Sequence, residues 1–82
     1  SKAGKWEKSL DACEKELSGS DYTIYICYRR AILAGMYLRE GHPELAAPLL
    51  DSISHRRTIM RGIARYVAAG GRGVAHIARL LR

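Results

Sequence analysis

The sequence predicts an all-α domain of four or five helices, built as stacked antiparallel hairpins across residues 1–82. Three observations lead there. Residues 21–53 form one long, nearly uncharged apolar segment, a glycine stop and a second apolar segment. The flanking segments place apolar residues at three- and four-residue steps, the period of a helix with one buried stripe. Glycine and proline punctuate the chain between segments rather than within a run of short strands.

The first helix is expected over about residues 5–17. Trp6, Leu10, Cys13 and Leu17 make one seam, with Glu7, Lys8, Asp11, Glu14 and Lys15 on the wet side. Ser18-Gly19-Ser20 reads as a turn, with Gly19 able to take the left-handed conformation of a helix C-cap. The second helix is expected over about 21–40, capped by Ser20 or Asp21. Its opening residues, YTIYICY, have strand propensity. Length decides for helix, because the apolar pattern continues through Leu38, too far for a strand in a chain this small. Only Arg29 and Arg30 carry charge between Tyr22 and Leu38, so this helix is expected at the centre. Gly35, in its middle, marks a close crossing by a neighbour.

Gly41 stops that helix and Pro43 suits the first position of the next. The third helix is expected over about 43–53, with Leu45, Ala46, Leu49, Leu50 and Ile53 inward and a kink at Pro48. The fourth is expected over about 55–69, with Ser54 as N-cap. Ile59, Ile63 and Val67 make its inner face and Arg57, Arg61 and Arg65 its outer one. Gly70, Gly71 and Gly73 form a joint before a fifth helix over about 74–81.

Composition limits the function classes. Hydrophobic residues make up 48% of the chain, enough for a packed core. No apolar run approaches the roughly 18 residues of a membrane span, and no signal-peptide pattern is present. The chain begins Ser-Lys-Ala-Gly without an initiator Met, as a piece of a longer protein would. Two cysteines are too few for a disulfide framework. Cys13 and Cys27 are expected as buried free thiols, which suits an intracellular, cytoplasmic setting. His42, His55 and His76 lack metal-ligand spacing, and no catalytic constellation stands out. The expectation is a non-enzyme without cofactor or metal.

Charge is divided unevenly. Residues 1–51 carry eight acids against seven Lys and Arg, whereas residues 52–82 carry seven Arg and no acid. The C-terminal part, 54–82, is therefore the basic part of the domain. A basic block of this kind suits an acidic partner, a phosphate backbone or an anionic membrane surface.

The central unit resembles a tetratricopeptide repeat. Leu33, Ala34 and Tyr37 sit where that motif has a large, a small and an aromatic residue. Gly41 sits at its turn, and Ala46 and Leu50 sit where its second helix packs. Arg30 stands where the motif usually has Trp, and Pro48 is unusual within its second helix. The resemblance covers about 25 residues, with glycine turns at Gly4, Gly41 and Gly70 spaced like helical-hairpin repeats. It implies binding of a peptide or partner helix, as in chaperones and assembly factors.

Two candidate surfaces follow. Tyr25, Tyr28 and Met36 would line a partner-binding groove, with core packing as the plainer role for the tyrosines. Arg57, Arg61, Arg65 and Arg72 would grip phosphates of a nucleic acid, since guanidinium groups fork onto them; a solvated helix face is the plainer role there. The leading expectation is a protein-interaction module, chaperone-like or an assembly subunit, able to act as a homo- or hetero-oligomer. The alternative is a nucleic-acid-binding domain.

Overall fold

The strand-like stretch is helical from Thr23 onward. A computed structural model of the protein describes residues 1–16 and 23–70. Within them are four helices: α1 (Lys2–Glu16), α2 (Thr23–Arg39), α3 (Pro43–Ser52) and α4 (Arg57–Ala68). The described residues contain no strand. The expected fifth helix, the turn at 18–20 and Leu17 lie outside them, as does the side chain of Cys13.

α2 is the central element, packing against α1, α3 and α4. Ala31, Leu33 and Ala34 are fully buried along it. α1 runs antiparallel to α2, because Ala3 meets Glu40, Glu7 meets Tyr37 and Glu14 meets Arg30. The first of these contacts also satisfies an orphan helix donor: the Ala3 amide donates to Glu40 Oε2 at 3.1 Å. Gly4 lies within α1, so the expected turn there is absent.

Gly41 ends α2 with φ +83°, the left-handed conformation expected of a C-terminal glycine. The His42 amide then donates to the Tyr37 carbonyl at 2.9 Å, and Pro43 opens α3. α3 folds back along α2 and buries Ala46, with Leu49 and Leu50 half-buried. Leu45, expected inward, is 46% exposed. Pro48 sits inside α3, and Ile53 is buried just past its end.

α4 runs parallel to α2. Met60 and Ile63 join the cluster built on Cys27, Tyr28, Ala31 and Ile32. One turn further along, Gly35 lies against Ala64 and Val67. A Cβ at Gly35 would stand 2.6 Å from the Ala64 carbonyl oxygen, so the close crossing expected there is present. α4 begins two residues later than expected, after Arg56 in the left-handed region at φ 48°. Its phase also differs. Met60 is fully buried, whereas Ile59, expected inward, is 45% exposed. Cys27 is a buried free thiol, as expected.

Candidate docking groove

α1 and α3 both lie along α2 without closing over it. Between them runs a groove of about 380 Å³. Leu10 and Leu33 line it from α1 and α2, and Leu45, Pro48 and Leu49 from α3. Glu7, Asp11 and Glu14 line it from α1, with Arg30 and Ser52 completing it. It thus has an apolar floor, one apolar wall and one acidic wall.

The sequence builds these walls from helix spacing. Glu7, Asp11 and Glu14 sit at steps of four and three on α1, so they project along one side. Leu45, Pro48, Leu49 and Ser52 do the same on α3. The wet side of α1 expected from its charges is thus partly the wall of a cleft.

Two polar contacts fix the acidic wall. Arg30 Nε donates to Glu14 Oε1 at 2.9 Å, with both side chains partly exposed. Its Nη1 also reaches Ser52 Oγ at 3.5 Å, at the outer limit for a hydrogen bond. Arg30 therefore spans from α1 to the end of α3. An exposed pair of this kind adds little stability; its role is to set where the two walls stand. At the other end of the wall the Tyr37 hydroxyl donates to Glu7 Oε2 at 2.5 Å.

That hydrogen bond pushes the Tyr37 phenol up to about 12, with burial and the carboxylates of Glu7, Glu40 and Asp11 acting in the same direction. The neutral phenol is the form that the fold favours. Its contribution is therefore complete below pH 10, the ordinary tyrosine value, and is lost as pH rises through about 12. Absorbance titration at 295 nm is expected to show a tyrosine step near pH 12. Tyr37→Phe is expected to remove that step. A titration complete near pH 10, the ordinary tyrosine value, would contradict the contact.

The residues expected to line a groove are not gathered in this one. Tyr28 is only 9% exposed, within the α2–α4 core. Met36 is half-buried, packed against both core clusters. Tyr25 is 45% exposed. It lies outside the groove lining, in a separate stack between α1 and α2, where the Arg29 guanidinium sits 4.6 Å from the Trp6 ring centre and 5.8 Å from that of Tyr25. Arg29 Nη2 also donates to Ser9 Oγ at 3.3 Å. The stack ties α1 to α2 by cation–π contact.

Arg57, Arg61 and Arg65 are exposed along α4. Arg57 is held by the backbone just before α4, its Nε donating to the Ile53 carbonyl at 2.9 Å. Arg72 lies outside the described residues. Among the described residues there is no cluster of three or more His, Cys, Asp or Glu able to hold a metal. None of the described helices is long and apolar enough to cross a membrane.

The fold and this cleft define an all-α helical-hairpin domain with an open groove. No known protein family, curated protein or solved structure matches the chain.

Proposed function

We propose that this chain is a non-enzymatic protein-interaction module that binds a peptide or partner helix in the groove between α1 and α3, as a chaperone-like or assembly subunit does. The observation that carries this reading is Leu45. Nearly half exposed on a short helix, it lines the same cleft as Leu10, Leu33 and Leu49. An apolar cleft rimmed by charges is the usual form of a helix-in-groove site. The resemblance of the α2–α3 hairpin to a tetratricopeptide unit supports the same reading, since Leu33, Ala34, Tyr37 and Ala46 are all buried.

A second reading rests on α4. Its three exposed arginines lie in a stretch, 52–82, without a single acid. Such a face suits a nucleic-acid backbone, and its affinity would fall steeply with salt.

Capture from native lysate, with and without nuclease, separates the two. Leu45→Glu changes an exposed residue and is expected to leave the fold intact while releasing the captured protein. Replacement of Arg57, Arg61 and Arg65 by Gln, or nuclease treatment, is expected to leave that capture in place. Loss of all capture with nuclease or with the Gln variant, and none with Leu45→Glu, would replace the first reading by the second.

A further inference from the structure

We infer that the occupant of the groove is α4 of a second copy of this chain, so that the protein associates head to tail. The inference rests on reading the groove as a docking site and names its partner.

The groove carries three carboxylates and one guanidinium, a net charge of −2 on a chain of net +6. Glu14 is matched by Arg30, and the lining residues supply no cation for Glu7 and Asp11. The groove therefore selects an apolar segment flanked by positive charge. The outward side of α4 has that character. Ile59 and Tyr66 are 45% and 41% exposed. They stand seven residues apart on one edge, with Arg61 and Arg65 on the other.

The spacings agree. Seven residues of helix cover about 10 Å, the separation of Ile59 from Tyr66 and also of Glu7 from Glu14 along the acidic wall. Four residues cover about 6 Å, which separates Arg61 from Arg65 and also Glu7 from Asp11.

Gly62 gives an independent sign. A glycine inside a helix costs about 1 kcal/mol relative to alanine. The cost has no return within the described residues, because a Cβ at Gly62 would meet nothing within 4 Å. It lies between the apolar edge and the arginine edge. There the missing side chain lets a neighbouring surface approach the α4 backbone.

The two surfaces do not compete. α4 packs on the side of α2 that carries Gly35, whereas the groove opens over Leu33. Two residues apart on a helix point to nearly opposite sides. One copy can therefore offer its groove and its α4 at once, which is the heterologous arrangement. A contact about two turns long is smaller than a standard interface. The association is expected to be weak, with Kd between about 1 µM and 1 mM.

Sedimentation equilibrium of the wild-type chain, over about 10 µM to 1 mM, is expected to show reversible association that weakens with salt. Asp11→Arg and Arg61→Glu each change an exposed residue. Each alone is expected to weaken association about tenfold or more. The two mixed together are expected to form a dimer and no larger species, because each retains the surface that the other lacks. Gly62→Gln is expected to raise the melting temperature yet weaken association. A wild-type chain that stays monomeric throughout would overturn the inference while leaving the capture result with Leu45→Glu untouched. Association that none of the three variants changes would assign it to another face and overturn it equally.

Discussion

Leu33→Asp is expected to unfold the domain. Leu33 has no exposed surface and stands at the centre of α2, in the cluster to which all four helices contribute. The variant removes a full leucine side chain from a packed site and puts a carboxylate in its place. Loss of the apolar side chain alone costs about 2–5 kcal/mol. An uncompensated buried polar group adds a penalty of similar size. A domain of this length holds only about 4–12 kcal/mol in total. Circular dichroism at 25 °C is expected to show a loss of helical signal, and heating to show no cooperative melt. An unchanged melt would remove α2 from the centre of the fold.

Gly35→Ala and Gly62→Ala are expected to shift stability in opposite directions, although both exchanges are made inside a helix. At Gly35 the new Cβ meets a backbone carbonyl at 2.6 Å and Val67 Cβ at 2.7 Å. A backbone oxygen cannot rotate away, so α2 and α4 must separate. Overpacking of this kind costs about 1–3 kcal/mol, more than offsetting the helix propensity gained. At Gly62 no atom lies within 4 Å, leaving only the propensity gain of about 1 kcal/mol. Each kcal/mol moves Tm by about 4–8 °C in a domain of this size. Thermal melts are therefore expected to place Gly35→Ala below wild type and Gly62→Ala above it. Equal shifts would contradict the α2–α4 crossing.

These contrasts show which features were legible in the sequence. The centrality of α2 was legible because a helix apolar on every side has no wet face to turn outward. Gly35 was legible for a related reason: a glycine amid good helix formers is tolerated where a neighbour needs the room. Gly41 and Pro43 announced the α2–α3 turn through their backbone preferences alone.

The groove was not legible, because it is a product of how far α1 and α3 stand apart. Glu7, Asp11 and Glu14 read as solvated charges, and only the position of α3 makes them a wall. Tyr28 reads as either groove lining or core and Met36 as groove lining; α4 packs on Tyr28 and makes it core, while Met36 ends half-buried. The phase of α4 departs from its apolar row at Ile59 for a similar reason. Ile59, Ile63 and Val67 make a regular apolar row, but Met60 and Ala64 belong to the buried side as well. The helix turns toward them and leaves Ile59 half outside.

Binding in the groove between α1 and α3 is tested most directly by an NMR titration of the isotopically labelled chain. The probe is a synthetic amphipathic helix with leucine on one face and arginine on the other. Amide shifts are expected to change at Leu10, Asp11, Leu33, Leu45, Leu49 and Ser52, with Leu45→Glu abolishing them. Changes confined to Tyr25 and its neighbours, or no change at all, would contradict it.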